Sequence, residues 1–364
     1  MTNDADLRAA REAEGLSLAR MARRTRFAKS YLSMVETGKR PVPTDVVAAY
    51  EQVLGFPLAA DPGAPVRLAH EWLVSESPAA LHLRSGRRIG RSLAAELESR
   101  VVELRHLDDV VSSADLLPAV SEELSTAREL VREATYSDST GKRLFTAVGE
   151  LAQLAGWVAG DAGKLAEAQR FYLSGVDAAN QARDRVLGAQ LLSSLSYQIA
   201  NTGNPRDAVL LARTAVMGAE GATPLVRALL LERLAWASAK SRDAEATWRA
   251  LDEVDDAFAA RGADEPEWVY WLNRAEIDVM AGRCLIQLGR PGEAEPLLSA
   301  AIETYPAEHA REVALYLSWL AESHARSGDL DAARETLARA QPFAEAMPSA
   351  RTGDRLRAVR QACA

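Results

Sequence analysis

Apolar residues near the N-terminus recur at helical spacing: Leu7, Leu16, Met21, Ala22, Leu32, Val35, Val47, Tyr50 and Leu54. Caps and breakers cut this pattern into short pieces. DADLRAAREAE closes at Gly15, and Ser17 N-caps LARMARR. A turn at Thr25 to Phe27 leads to AKSYLSMVE, which ends at Thr37-Gly38. TDVVAAYEQVL follows, capped by Thr44 and ended by Gly55. The parse predicts about five short helices over residues 4–56. FPLAADPGAPV, at 56–66, is rich in Pro, Gly and Ala and reads as the way out of this domain. From Gly90 a long helical pattern begins, SLAAELESRVVELRHLDDVV, and only helical periodicity follows. No strand-like alternation is present, so the predicted fold class is all-α.

The C-terminal part repeats. Five units align by their small residues and turns: LAQLAGWVAGDAGKLAEAQRFYLSGVDAA, LLSSLSYQIANTGNPRDAVLLARTAV, LLERLAWASAKSRDAEATWRAL, DVMAGRCLIQLGRPGEAEPLLSAAI and LYLSWLAESHARSGDLDAARETLARA. Each reads as helix, short Gly/Asp/Pro turn, helix. The marker alanines Ala168, Ala208, Ala246, Ala294 and Ala333 are spaced by 40, 38, 48 and 39. One helical pair cannot bury its apolar face alone, so repetition at this period predicts an α-solenoid. The expected organisation is a helical domain at 1–57, a connecting segment at 58–89, and helical repeats at 90–364. Two domains also suit 364 residues at ~150 per domain.

Charge sharpens this picture. The chain carries a net −8, yet residues 17–40 hold seven basic residues and one acid. A basic patch on an otherwise acidic protein suits nucleic-acid contact. The arrangement of LARMARR, a tight turn and AKSYLSMVE suits a helix-turn-helix. Its second helix would lie in the major groove, with its first residues on base edges. Lys29, Ser30 and Ser33 share the exposed side, while Leu32 and Val35 face the core. Tyr31 offers a hydroxyl and a flat face. Arg23, Arg24, Arg26, Lys39 and Arg40 flank the helix and suit phosphates. The candidate DNA contacts are Ser17, Arg24, Arg26, Lys29, Ser30, Tyr31, Ser33, Lys39 and Arg40. A second cluster, Arg84, Arg87, Arg88 and Arg91, could add a phosphate contact but reads rather as a solvated face or an ion-pair partner for the acidic repeats.

Gly-Leu-Ser at 15–17, Leu32-Ser33, Val35-Glu36 and Gly38-Lys39-Arg40-Pro41 resemble the Xre/lambda-repressor-like regulators. RTRFAKSYLSMVETGKRP is most similar to their actinobacterial branch, whose members often join this domain to helical repeats. The resemblance implies a structural role for Glu36, paired with an arginine of the first helix such as Arg11. The chain departs from the family pattern at Leu18, where Gln is usual and makes a DNA contact. It departs again at Arg26, where Gly is usual, which leaves the turn conformation open. The repeats resemble tetratricopeptide repeats, unit four best, with Gly282 at the close-packing position of its first helix.

Superposed by their turns, the units place Trp157, Tyr197, Trp236, Arg283 and Glu322 at one equivalent position. That position faces the concave groove in tetratricopeptide repeats. Gln153, Ser193 and Glu232 lie one turn away, and Asn201, Lys240 and Gln287 lie near the helix ends. The candidate ligand groove is Gln153, Trp157, Tyr197, Asn201, Glu232, Trp236, Lys240, Arg283 and Gln287. Such a stripe suits a peptide or an amphipathic small molecule, and equally suits a packed core. EPEWVYWLNRAE, with Trp268, Tyr270, Trp271 and Arg274, either lines the same groove or fills it.

Neither Cys284 nor Cys363 lies in a metal-binding spacing, and the five histidines form none. No nucleophile elbow, Walker loop or dinucleotide motif is present. The sequence therefore predicts no enzyme, no cofactor and no metal. Sparse cysteines and the absence of a signal or membrane-spanning segment predict a cytoplasmic protein. Two functional readings stay open. One is a homodimeric regulator of double-stranded DNA whose repeats sense a peptide, small molecule or protein partner. The other is a protein-binding repeat scaffold with the first domain as adaptor.

Overall fold

The computed structural model describes residues 7–8, 11, 16–54, 90–306 and 309–363. The chain forms two compact units, Met1–Trp72 and Leu73–Ala364. The described residues form sixteen α-helices, one 3-10 turn and no strand. The expected connecting segment at 58–89 lies outside them, including Arg84, Arg87 and Arg88, as does the side chain of Arg91.

In the first unit, Leu7, Arg8 and Arg11 are helical and precede α1 (Leu18–Arg24), α2 (Lys29–Glu36) and α3 (Thr44–Leu54). A fifth helix would lie outside the described residues. The Ser17 side chain accepts from the Arg20 amide and caps α1. Leu7, Met21, Leu32, Val35, Val46 and Tyr50 are fully buried together. Val46 takes the core position expected of Val47. In a Val-Val pair periodicity alone cannot choose the inward residue; Val46 stands one turn before buried Tyr50 and so shares its face.

Arg11 donates from two guanidinium nitrogens to the two carboxylate oxygens of Glu36, each at 2.7 Å. A third nitrogen donates to the Leu16 carbonyl at 2.7 Å, and the Tyr50 hydroxyl donates to Glu36 at 2.7 Å. Glu36 thus fixes the C-terminal end of α2 to both the first helix and α3. Burial, reinforced by the Glu36 carboxylate, pushes the Tyr50 phenol up. Arg26 does not take up the left-handed backbone that would call for glycine; among described non-glycine residues only Arg183 and Arg242 have positive φ.

In the second unit, α4 (Arg91–Leu107) and α5 (Ser113–Glu133) precede five antiparallel hairpins. These are α6/α7 (Asp138–Asp161, Leu165–Ala182), α8/α9 (Arg185–Thr202, Pro205–Gly218), α10/α11 (Pro224–Lys240, Ala244–Ala259), α12/α13 (Arg274–Gln287, Pro291–Thr304) and α14/α15 (Ala310–Ser327, Leu330–Ala346). The last helix is α16 (Ala350–Ala362). The hairpins are the five sequence units, and the fold is all-α with tetratricopeptide-like helical repeats.

Four hairpin turns use a left-handed residue immediately before the cap of the second helix: Gly163, Arg242, Gly289 and Gly328. Counted from those caps, the buried marker of the third hairpin is Thr247, not Ala246. Ala168, Ala208, Thr247, Ala294 and Ala333 are each 0% exposed, and each lies four residues past its cap. The slip has a local cause. The third turn has Arg242 where neighbouring turns have glycine, so no glycine marks its register. Small residues on the first helices let the second helices approach closely. At Gly282 a Cβ would stand 3.0 Å from Leu298, as expected of a close-packing position, and at Gly156 one would stand 2.5 Å from the Tyr172 ring.

The second unit also closes on itself. The Asp161 carboxylate, at the end of α6, accepts from Ser113 and Ser349 at 2.9 Å and lies 3.0 Å from Arg351. Arg311 of α14 meets Asp108, just after α4, at 3.0 Å. The start of the repeat unit is thereby tied to its end through buried charges. Burial opposes ionisation of Asp161, but Arg351 and Arg311 outweigh it and hold the carboxyl below its usual range.

Candidate nucleic-acid interface and repeat cavity

Helix α2 presents two faces. Leu32, Val35 and Glu36 are buried, which fixes its rotation about its own axis. Lys29 and Ser30 are exposed on its first turn; Tyr31 and Ser33 are half-buried. Phe27 stacks on Tyr31 with ring centroids 5.7 Å apart, and the Arg40 guanidinium lies 5.5 Å from the Tyr31 ring. Arg24, Arg26, Lys39 and Arg40 are exposed. Arg26 makes one long surface contact, 3.8 Å to Asp45, a kind worth ~0–1 kcal/mol. Arg24, Lys29, Lys39 and Arg40 form no ion pair among the described residues. Eight of the nine candidate contacts thus sit on α2 or at its flanks. Ser17, also exposed, caps α1 through its hydroxyl oxygen.

The second unit contains a cavity of about 870 Å³. Its wall brings together Gln153, Trp157, Tyr197, Glu232 and Arg283 of the expected groove. Asn201, Lys240 and Gln287 instead line a separate pocket of about 320 Å³. Trp236 lines neither; it is fully buried. Its indole nitrogen donates to Asn201, and its ring packs edge-on against Trp319 with centroids 5.6 Å apart. At this point of the stack an indole fills the gap between successive hairpins. EPEWVYWLNRAE lines the cavity through Trp268, Tyr270, Trp271 and Arg274. Missing from the expected groove were Arg233 and Glu276, and Arg351 of α16. Arg233 directly follows Glu232, which offered a weak signal. Nothing in the sequence tied Arg351 to a groove about two hundred residues earlier.

Arg283 is 5% exposed and sits among rings, its guanidinium carbon 4.3 Å from Trp236, 4.8 Å from Trp319 and 5.4 Å from Tyr197. Arg233 lies 4.2 Å from the Tyr197 ring. Such cation–π contacts contribute ~0.5–2 kcal/mol each. Burial raises the Tyr197 phenol, but Arg283, Arg351 and Arg233 outweigh it and bring it down to about 8. Glu232 moves the other way. Burial dominates over its two arginine neighbours and lifts it to about 7. Across the cavity the Tyr305 and Tyr316 hydroxyls both donate to Glu276. The wall therefore offers stacking rings, guanidinium donors and a carboxyl that titrates near neutrality. Among the described residues no cluster of His, Cys, Asp and Glu is placed to hold a metal, and no helix is long and apolar enough to cross a membrane.

Comparison with known proteins places the first unit. Residues 5–61 match the family model described as a helix-turn-helix domain. No match to the chain was found among curated proteins. Among solved structures, BtubC (BKLC) from P. vanneervenii is similar at 16% identity, covering 63% of this chain and 90% of that one, with a TM-score of 0.44. PlcR of Bacillus thuringiensis, solved with the peptide PapR7 and DNA, is similar at 13% identity, covering 82% and 92%, with a TM-score of 0.35. ComR from S. thermophilus, solved with DNA and its signalling peptide ComS, is similar at 10% identity, covering 90% and 99%, with a TM-score of 0.34. Residues 5–61 are a helix-turn-helix domain, followed in this chain by tetratricopeptide-like helical repeats.

Proposed function

We propose that the protein is a transcription regulator that binds double-stranded DNA as a homodimer and senses a ligand in its repeat cavity. The observation that carries the DNA reading is α2. Its rotation is fixed by a buried face and by the Arg11–Glu36 pair, and its exposed first turn lies among exposed cations, of which only Arg26 meets a carboxylate, at 3.8 Å. Lys29, Ser30, Tyr31 and Ser33 read base edges; Arg24, Arg26, Lys39 and Arg40 hold phosphates. Two such domains meet an inverted repeat with half-sites about one helical turn apart. The aromatic-lined cavity supports ligand sensing, because its volume lies within the ~300–1,000 Å³ of small-molecule sites. Ligand binding then biases the spacing of the two DNA-binding domains.

Selection of duplexes from a random pool, followed by gel retardation across salt, tests this reading. Affinity for the selected duplex is expected to fall steeply with salt, by a log–log slope of about −0.9 per phosphate contact. Lys29→Ala with Arg26→Ala is expected to abolish retardation. Retention of a salt-insensitive protein partner with no selected duplex would favour the scaffold reading instead.

A further inference from the structure

We infer that the repeat cavity takes a small organic anion, with a carboxylate, phosphate or sulfonate group on a flat apolar body, held by Arg283 and Arg233. The inference rests on the cavity being a ligand site, as proposed above.

Six arginines line the cavity, and four of them are neutralised by the protein. Arg311 pairs with Asp108, Arg351 with Asp161, Arg274 with Asp255 and Asp278, and Arg105 more loosely with Glu150 and Glu267. Arg233 and Arg283 differ. No carboxylate oxygen lies within 4.0 Å of either guanidinium among the described residues. They are 7% and 5% exposed, and Nε of Arg283 has no hydrogen-bond partner. Guanidinium groups out of water need an anion, because burying an unpaired charge is strongly unfavourable. The rings around them supply only part of that compensation.

Neighbouring groups fill the gap only in part: Glu232 lies within electrostatic reach of both arginines and Glu276 of Arg233, but neither forms an ion pair with them, and burial pushes both carboxyls up. Tyr197, although brought down to about 8, is mainly a neutral phenol at neutral pH. Glu232 is near half-protonated there, with its Oε2 lacking a hydrogen-bond partner. In its protonated form it donates to an anion's oxygen rather than repelling it. Trp157 and Tyr197 stack with centroids 6.0 Å apart beside these arginines, a surface suited to a flat apolar body. The donor set is therefore two guanidinium groups and a carboxyl beside an aromatic platform, which matches one charged end and one apolar end of a ligand.

Two fluorescent probes test this on the full chain. 8-Anilino-1-naphthalenesulfonate carries the anion, and N-phenyl-1-naphthylamine is the same skeleton without it. On the unmodified chain the sulfonate is expected to saturate one site and to bind at least tenfold tighter than the neutral probe. Arg283→Met and Arg233→Met are each expected to weaken the sulfonate about tenfold or more and to leave the neutral probe unchanged. Equal affinity of the two probes, or sulfonate binding unaffected by either variant, would overturn the anion assignment while leaving the cavity a ligand site. Failure of both probes to bind the unmodified chain would overturn the ligand-site reading as well. Retardation of the selected duplex by the same preparation reports the DNA reading separately.

Discussion

Arg11 and Glu36, separated by 25 positions, share two parallel hydrogen bonds of 2.7 Å in the core of the helix-turn-helix domain. Neither side chain reaches the face that would meet DNA; the pair sets the angle at which α2 is presented. Removing one partner breaks a buried ion pair, a loss of about 3–5 kcal/mol. Glu36→Leu or Arg11→Met alone is expected to abolish hydrogen-exchange protection across α2 and to weaken DNA retardation. The double variant is expected to cost less than the two single variants combined, because the pair is removed as a unit. Additive losses would show that the two groups do not act as a pair.

Two backbone positions in the repeats give opposite expectations. At Gly156 a Cβ would stand 2.5, 2.7 and 2.8 Å from three atoms of the buried Tyr172 ring. Gly156→Ala is expected to destabilise the repeat unit by about 1–3 kcal/mol despite alanine's better helix propensity. Arg242 holds φ at 62° on the surface, a conformation costing a non-glycine residue ~1–2 kcal/mol. Arg242→Gly is expected to raise the thermal midpoint. Melting curves of both variants beside the parent protein check the two signs together.

These positions also show what the sequence could reveal. The Arg11–Glu36 pair, the Ser17 cap and the five hairpins were legible because each depends on local spacing or on a motif. Register was less so. Val47 for Val46 and Ala246 for Thr247 are single-residue slips at places where two adjacent residues satisfy the pattern equally. Trp236 shares its repeat position with Trp157 and Tyr197, yet unlike them it does not reach the cavity, because Trp319 and Arg283 pack around it. The closure through Asp161, Ser349 and Arg351 joins residues almost two hundred positions apart and leaves no periodic trace.

Closure itself is testable. Asp161 takes two serine hydroxyls and sits against Arg351, so Asp161→Asn leaves that guanidinium without its carboxylate. The variant is expected to lose about 3–5 kcal/mol, with early hydrogen exchange concentrated in α16. Uniform exchange along the repeats would argue that α16 is held by other contacts.

Glu232 gives the repeat unit a pH dependence. Its carboxyl rises from an ordinary 4.5 to about 7 on folding, chiefly through burial. Between these values the folded chain keeps a proton that the unfolded chain has lost. Stability therefore falls as pH rises from about 4.5 to 7, by on the order of 3 kcal/mol for this group. Glu232→Gln removes that contribution. Thermal midpoints of parent and variant are expected to draw apart from pH 5 to pH 8, the variant gaining relative to the parent. Parallel pH profiles would contradict a raised Glu232.

The most direct measurement of the regulator reading is genome-wide footprinting of the full chain beside its Lys29→Ala, Arg26→Ala variant. Discrete sites made of inverted half-sites about one helical turn apart, lost in the variant, are predicted. Footprints without discrete sites, or the same sites retained by the variant, would contradict DNA recognition through α2.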